Sequence, residues 1–318
     1  MKAIVFDKKP VLRRNHPEPT TRRGDVLIQV LKAGVCTTDL EVAKGYMGFK
    51  GVMGHEFVGR VVKGPRAMQG RRVVAEINCV CGKCDMCQSG LSAHCRNRTT
   101  LGIDGHDGCF AELIVVPQRN CHLVPDTVSD EEAVFVEPLA AAYQVLRQLP
   151  VESHMKIVVL GAGRLGNLVA QVLGQANCKL EVLDVDPERL TFCEKKGIQA
   201  RPLADVTARA DRDVVVDCTG ASAGLATAMK LVRPRGTIVL KSTVADPEPV
   251  DLSPLVVSEV TVLGSRCGPF ADALRALARK QVDVLGMVTR RFTINKALDA
   301  LRLAADSGQL KVIIDVGE

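Results

Sequence analysis

The sequence predicts an α/β protein that combines a doubly wound parallel sheet with a second, β-rich domain. The first observation is the alternation of apolar, β-branched runs with helical patterns from about residue 156 to residue 264. The second is a series of short β-rich runs, broken by Gly, Pro and polar clusters, in residues 1–140. Alternation favours a parallel sheet, whereas consecutive short strands favour an antiparallel one. We expect domains at 1–140 and 141–279, with a return segment at 280–318 that completes the first.

The composition is that of an ordinary globular protein. The 318 residues are 47% hydrophobic and 25% charged, which is enough for two domains with their own cores. The net charge is +6, but the Lys and Arg residues are interspersed with acidic ones, so we expect no nucleic-acid partner. No signal peptide and no apolar run of membrane length is recognised, so we expect a cytoplasmic protein with no membrane partner. Twelve cysteines in such a chain indicate metal sites and buried thiols rather than disulfides.

The β-rich domain is predicted from five runs of strand-forming residues: Ala3–Phe6, Asp25–Ala33, Glu56–Val62, Arg72–Ile77 and Phe110–Val116. Cysteine, histidine and glutamate lie beside these runs and beside the first predicted helix.

Three of these residues supply the ligand types of a catalytic metal site. Cys36 follows the second run, His55 precedes the third, and Glu137 lies just before a proline that suits the first turn of a helix. Thiolate, imidazole and carboxylate together are a mixture that catalytic zinc takes with one position left open. Each residue also has an ordinary interpretation: a small buried hydrophobe, a turn residue, and a carboxylate favoured at a helix N-terminus.

A second metal site is predicted with greater specificity. Cys81, Cys84, Cys87 and Cys95 follow one another with spacings of two, two and seven residues. Four thiolates in one loop close a tetrahedral zinc site and hold together a lobe that lacks its own core. The other cysteines are interpreted as structural or incidental.

The second half opens with a dinucleotide-binding fingerprint. An apolar strand at Ile157–Leu160 leads into Gly161, Gly163 and Gly166, followed by a helical pattern to about Gln175. The first glycine permits the tight turn, the second lets the backbone approach a pyrophosphate, and the third lets helix and strand pack closely. The helix N-terminus offers N–H groups to the phosphates.

Asp184 indicates which dinucleotide binds. It ends the next apolar strand, Leu180–Leu183, 18 residues after Gly166. A carboxylate there accepts hydrogen bonds from the ribose hydroxyls and repels a 2′-phosphate, so we expect NAD as the cofactor. Arg189 is the opposing signal, because an arginine can accept that phosphate. We expect it to pack beside the adenine or the ribose edge.

The alternation then continues to the end of the chain. Further strands and helices are expected at Val214–Asp217, Thr237–Leu240, Val260–Leu263, Phe270–Lys280, Ile294–Ser307 and Lys311–Val316.

These motifs together carry a resemblance to a known family. They appear in one order: Gly34-Val35-Cys36-Thr37-Thr38-Asp39, Gly54-His55-Glu56, the four-cysteine lobe, Glu137-Pro138-Leu139, the glycine turn, and Asp217-Cys218-Thr219-Gly220. Over essentially its whole length the chain resembles the zinc-dependent medium-chain alcohol dehydrogenases, and within them the sorbitol and threonine dehydrogenase branch. The resemblance implies a Rossmann domain and a GroES-like catalytic domain with a zinc lobe.

The resemblance also implies one catalytic and one structural zinc ion. The catalytic ion would be held by Cys36, His55 and either Glu56 or Glu137, which the sequence leaves open. Asp39 would orient His55, and Thr38 would hydrogen-bond the substrate oxygen. Zinc would lower the pKa of the substrate hydroxyl before hydride passes to the nicotinamide. Relatives of the liver type complete the proton relay with a histidine where this chain has Glu41, which serves either as a base or as a solvent-facing helix residue.

Further site residues are implied in the same way. The cofactor-binding residues would be Gly161, Gly163, Arg164, Leu165, Gly166, Asp184 and Arg189, with Thr219 at the adenosine side and Ser265 and Arg266 near the nicotinamide or substrate. Pocket candidates are Thr38, Tyr46, Phe110, Glu137 and Arg266. Lys311 is either a phosphate contact or, more simply, a solvated lysine.

The expected reaction transfers a hydride between NAD and a small secondary alcohol or its carbonyl product. Polyols, sugars, amino-alcohols and cyclitols are the substrate classes that the resemblance implies, and a homodimer or homotetramer is the implied assembly. Two other functions stand beside it. One is a zinc-free quinone or enoyl reductase of the same superfamily, and the other is a non-catalytic nicotinamide-binding relative.

Overall fold

The computed structural model describes residues 1–243 and 249–317. Its strands are β1 Ala3–Phe6, β2 Pro10–Arg13, β3 Asp25–Val35, β4 Gly51–Val52, β5 Glu56–Lys63, β6 Arg72–Ala75, β7 Asn78–Cys79, β8 Thr99–Leu101, β9 Gly105–His106, β10 Leu113–Pro117, β11 Cys121–Leu123, β12 Lys156–Leu160, β13 Lys179–Asp184, β14 Gln199–Pro202, β15 Arg212–Asp217, β16 Val232–Leu240, β17 Thr261–Gly264, β18 Val288–Thr293 and β19 Lys311–Asp315. Its α-helices are α1 Thr37–Ala43, α2 Asp85–Gln88, α3 Asp130–Val134, α4 Val136–Gln148, α5 Arg164–Gly174, α6 Pro187–Lys195, α7 Ala223–Leu231, α8 Ser253–Val257, α9 Phe270–Ala278 and α10 Ala297–Ala304.

The chain forms two compact units. The first contains Met1–Glu137 together with the chain from Phe270 onward, and the second contains Pro138–Pro269. Among the described residues, no helix is both long and apolar enough to cross a bilayer.

The first unit is β-rich and largely antiparallel, as predicted. Its main sheet has the order β11-β6-β5-β3-β19-β18, and β10 also pairs with β3. Strand β3 lies between β5 and β19, antiparallel to both, with Gly34 opposite Glu56 on one side and Ile313 on the other. Residues far apart in sequence therefore meet across β3.

The second unit is a parallel sheet in the order β14-β13-β12-β15-β16-β17. This order reverses direction at β12, which is the doubly wound arrangement that leaves a ligand crevice at the carboxyl ends of the strands. Val158, Val215 and Ile238 from three adjacent strands are fully buried against α7. The predicted fold class is confirmed.

Some predicted element limits were wrong. The run at Phe110–Val116 forms a strand only from Leu113, because the Phe110 carbonyl accepts from the Ile4 N–H and Ala111 bridges to Ala3. The helix expected over 294–307 begins with a 3₁₀ turn and ends at Ala304. Tertiary pairing, which single-sequence patterns do not report, decides both limits.

Candidate active site

The first unit brings together three of the predicted metal ligands. One ligand atom each from Cys36, His55 and Glu56 lies within 4.8 Å of the other two. Cys36 directly follows β3 as the N-cap of α1, whereas Glu56 begins β5, which pairs with β3, and His55 directly precedes it. The pairing of two strands thus assembles the group. Glu137 is not a member of it.

Asp39 positions two of these ligands. Its Oδ2 accepts the backbone N–H of Cys36 at 2.8 Å, and its Oδ1 lies 3.1 Å from Nδ1 of His55. The expected contact between Asp39 and His55 is present. It leaves Nε2 of the ring for a metal ion, which is the usual arrangement of a metal-binding histidine.

Electrostatics around His55 follow from the same contact. Burial of His55 disfavours its charged form, but the Asp39 carboxylate outweighs that effect and raises the pKa of His55 well above its ordinary value. A buried ring beside a buried carboxylate and a thiol favours a positive charge at this point. The donor set of one sulfur, one nitrogen and one oxygen therefore fits a catalytic zinc ion.

Glu56 has a partner that the sequence did not reveal. Nζ of Lys311 lies 2.5 Å from Oε2 of Glu56, with the two side chains 2% and 1% exposed. Lys311 begins β19, so its side chain reaches Glu56 across β3 at Gly34, where a Cβ atom would lie 2.6 Å from that same oxygen. The solvated lysine and the phosphate contact were both wrong expectations for Lys311.

Other residues near the group are less closely engaged. Oγ1 of Thr38 lies 3.7 Å from Sγ of Cys36. Glu41 lies in α1 and pairs with Lys44 at 2.9 Å. Tyr46 is exposed, but Phe110 is fully buried and packs over Gly54, so it is a core residue rather than a lining residue of an open pocket.

The four-cysteine lobe has the geometry of a structural zinc site. Sγ–Sγ distances are 3.5 Å for Cys84–Cys87, 3.8 Å for Cys84–Cys95 and 3.5 Å for Cys81–Cys95. Zn–S bonds of about 2.3 Å place four tetrahedral sulfurs about 3.8 Å apart. The backbone N–H groups of Lys83 and Cys84 lower the pKa of Cys81 to about 6, which favours the thiolate that zinc requires.

The glycine turn of the second unit has the conformation that its sequence predicts. Gly161 has φ +92°, and a Cβ atom at Gly166 would lie 1.8 Å from the Gly161 carbonyl oxygen. A Cβ atom at Gly163 would meet nothing within 4 Å, so the backbone there is open to a pyrophosphate. Arg164 and Leu165 begin α5, whose N-cap has no side-chain hydrogen bond.

The Asp184 carboxylate stabilises this turn by hydrogen bonding. Its Oδ2 accepts the Ala162 N–H at 2.6 Å and its Oδ1 accepts the Asp186 N–H at 2.9 Å. A carboxylate retains further acceptor capacity for ribose hydroxyls. Arg189 lies 4.0 Å from Asp184 and 3.6 Å from Asp186, so its charge is offset by two carboxylates, which fits NAD better than a 2′-phosphate.

The remaining predicted cofactor residues follow strands of the sheet. Thr219 comes after β15, and its N–H and hydroxyl both donate to Oδ1 of Asp217, at 2.9 and 2.7 Å. Ser265 and Arg266 come directly after β17. Sequence reasoning missed Lys241, which follows β16 and contacts both of these residues.

Comparisons with known proteins agree with this geometry. Residues 22–126 match the family described as "Alcohol dehydrogenase GroES-like domain", and residues 165–280 match "Zinc-binding dehydrogenase". The chain is 31% identical to an L-threonine 3-dehydrogenase of Streptomyces avermitilis, with 99% of each chain covered. It is 29% identical to a sorbitol dehydrogenase of Halalkalibacterium halodurans, over 94% of this chain and 93% of the relative. A solved structure described as a short chain alcohol dehydrogenase from E. coli CFT073, complexed with NADH, matches with a TM-score of 0.90 at 27% identity, covering 99% of each chain.

Proposed function

The chain belongs to the zinc-dependent medium-chain alcohol dehydrogenase family, and from that premise we propose that its substrate is a polyol, sugar, amino-alcohol or cyclitol with a secondary hydroxyl. The protein is an oxidoreductase whose cofactors are NAD and zinc. Similarity to relatives named for threonine and for sorbitol, each a molecule with a secondary hydroxyl, supports this substrate class.

The group formed by Cys36, His55 and Glu56 is the observation that carries the proposal. When bound there, zinc supplies a Lewis acid that lowers the pKa of a substrate hydroxyl. Cys36 and His55 would hold the ion, with Asp39 fixing the ring of His55. Glu56 is the carboxylate that we propose as the third ligand, because it belongs to the group of mutually close ligand atoms. Glu137 stays the alternative.

The other roles are proposed from position. Thr38, beside the Cys36 thiol, would hydrogen-bond the substrate oxygen and pass on its proton. Gly161, Gly163, Arg164, Leu165 and Gly166 would bind the pyrophosphate, and Asp184 the ribose, with Arg189 at its edge. Further cofactor contacts would be made by Thr219, Ser265 and Arg266.

We further propose that the chain assembles as a homodimer or homotetramer in which copies join through β17. This strand is at the end of the six-stranded sheet, and Val262 on it is 39% exposed. Val256 and Val257 of the preceding α8 are 78% and 84% exposed. Within the described part of the chain β17 pairs only with β16, and such an edge with exposed apolar side chains beside it favours pairing with a second copy of the same edge.

The test combines metal analysis with turnover. We expect about two zinc ions per chain in the wild type and about one in Cys36→Ser, with the lobe retained. NADH formation from a polyol and amino-alcohol panel should fall by at least about a hundredfold in Cys36→Ser. Cys121→Ser, a half-buried thiol outside both metal groups, is the matched control and should retain zinc and activity.

Each other function gives a different result. A reductase without a catalytic zinc would hold only the ion of the four-cysteine lobe, about one zinc per chain, and would lose neither zinc nor activity on Cys36→Ser. A non-catalytic relative would hold two ions and bind NADH but oxidise no alcohol in the panel.

A further inference from the structure

Lys241 has three acceptors around its ammonium group. Nζ lies 2.6 Å from the Ala141 carbonyl oxygen, 3.2 Å from Oγ of Ser265 and 3.3 Å from the Arg266 carbonyl oxygen. An ammonium group has three N–H donors, so each donor has an acceptor in this arrangement. Hydrogen bonds from a charged donor are stronger than neutral ones.

The acceptors belong to two different elements of the second unit. Ala141 lies in α4, whereas Ser265 and Arg266 are the first two residues after β17. The Ser265 N–H donates to the Leu240 carbonyl at 3.0 Å, which places Ser265 beside the end of β16. Lys241 therefore joins the segment after β17 to α4.

Two neighbouring contacts tie the same segment to the same helix. Nε2 of Gln148, at the end of α4, donates to the Gly264 carbonyl at 3.1 Å. A Cβ atom at Gly268 would lie 1.9 Å from the Ala140 carbonyl oxygen, so the backbones approach closely there. Lys241 is the charged member of these contacts.

The position of the Lys241 contacts in the sheet indicates their function. Leu240 and Gly264 are paired at the carboxyl ends of β16 and β17, which is the edge where a doubly wound sheet binds its ligand. The glycine turn and Asp184 occupy the β12–β13 half, which takes the adenosine and pyrophosphate. The β15–β17 half is left for the second nucleotide of the cofactor.

We propose that Lys241 is a positioning residue for the nicotinamide half of the cofactor. By holding Ser265 and the Arg266 carbonyl against α4, it fixes the segment that borders the β15–β17 half of the crevice. The adenosine half depends on the glycine turn and does not depend on Lys241. The inference rests on the proposed function, since it requires a nicotinamide cofactor.

Two ligands separate the halves in an experiment. NADH occupies both halves, whereas ADP carries only the adenosine and the pyrophosphate. For Lys241→Met, titration calorimetry should show NADH affinity lowered by about tenfold and ADP affinity changed by less than about twofold. Lys241→Arg keeps charged donors and should recover most of the NADH affinity. Lys230→Met removes an exposed lysine of α7 and is the matched control, with no change in either affinity.

Binding of ADP by Lys241→Met also reports that the second unit is folded. Equal weakening of both ligands would overturn the inference, because it indicates a general structural role. Unchanged NADH affinity would overturn it as well. Wild-type protein that binds neither ligand would overturn the proposed NAD-dependent function together with this inference.

Discussion

Asp39 illustrates how one buried side chain prepares two metal ligands. Each oxygen of its carboxylate contacts a different ligand residue, the Cys36 backbone at 2.8 Å and the His55 ring at 3.1 Å. The same carboxylate stands at the third position of α1 and satisfies the N–H at its N-cap. The Asp39 side chain therefore caps α1 and orients the metal ligands at the same time.

Replacement of Asp39 tests this orientation. Asp39→Asn keeps the shape of the side chain but removes the negative charge that holds the His55 ring. We expect kcat to fall by about 10- to 100-fold, the usual effect of losing such a partner. Steady-state kinetics and zinc analysis measure it. Asp299→Asn, an exposed carboxylate of α10, should leave kcat unchanged. Full activity in Asp39→Asn would contradict the role.

The pair formed by Lys311 and Glu56 is a second residue-scale feature. Because both side chains are buried, removing one leaves an uncompensated charge. Lys311→Met should lower the free energy of unfolding by about 3–5 kcal/mol, and Lys311→Met with Glu56→Gln should recover part of that loss. Urea unfolding of Lys311→Met, Glu56→Gln and the double variant measures the coupling. If the effects of the two single variants simply added in the double variant, the residues would not be coupled.

Sequence patterns predict some of these residues and miss others for a physical reason. The glycine turn and the cysteine lobe are local, so spacing alone reveals them. Lys311 and Glu56 are 255 positions apart and meet only because β5, β3 and β19 are neighbours. In the sequence, Lys241 is simply a polar residue after a strand, and only the packing of α4 and of the segment after β17 around it gives it partners. The choice between Glu56 and Glu137 likewise depends on strand pairing.

At the scale of elements, α3 shows how a short helix is anchored. The Glu132 carboxylate accepts from the Ser129 N–H at 2.8 Å, and the Ser129 hydroxyl oxygen accepts from the Glu132 N–H at 3.3 Å, which together form a capping box. Lys280, just after α9, donates to the other carboxylate oxygen of Glu132 at 2.6 Å. Burial raises the pKa of Glu132, but the hydrogen bonds from Lys280 and Ser129 outweigh it and set the pKa below its ordinary range.

This lowered pKa makes the anchoring dependent on pH. A group whose pKa is depressed by folding stabilises the fold above its unfolded pKa of about 4.3, and this contribution is lost as pH falls through the folded value. Glu132→Gln keeps a capping side chain but loses the charge. We expect a loss of about 1 kcal/mol at pH 7 that shrinks below about pH 4. Urea unfolding of both proteins at several pH values tests it, and a difference independent of pH would contradict it.

At the scale of the whole molecule, the two units carry different parts of the chemistry. The first contains both metal groups, and the second contains the glycine turn with Asp184. All strands of a given sheet belong to the same unit. The strand and helix periodicity of each part of the chain was therefore enough to predict the fold class. An assembly of copies was expected only from the resemblance, and the position of β17 at the end of the sheet adds a structural argument for it.

The proposed assembly is tested at that edge. Val262→Lys places a charge on β17, where an edge lysine prevents pairing with another strand. Light scattering should show a dimer or larger assembly for the wild type and a shift toward monomer for Val262→Lys. Val11→Lys, on the exposed side of β2, is the control and should leave the mass unchanged. A wild-type monomer would contradict the proposal.

The most direct test of the metal centre is anomalous diffraction from crystals of the enzyme, with data on both sides of the zinc absorption edge. Two zinc peaks per chain are expected. One should lie among the four lobe cysteines, and the other within bonding distance of Cys36, His55 and a glutamate carboxylate, with the electron density identifying Glu56 or Glu137. A single peak, confined to the lobe, from fully active crystals would contradict the zinc-dependent dehydrogenase described above.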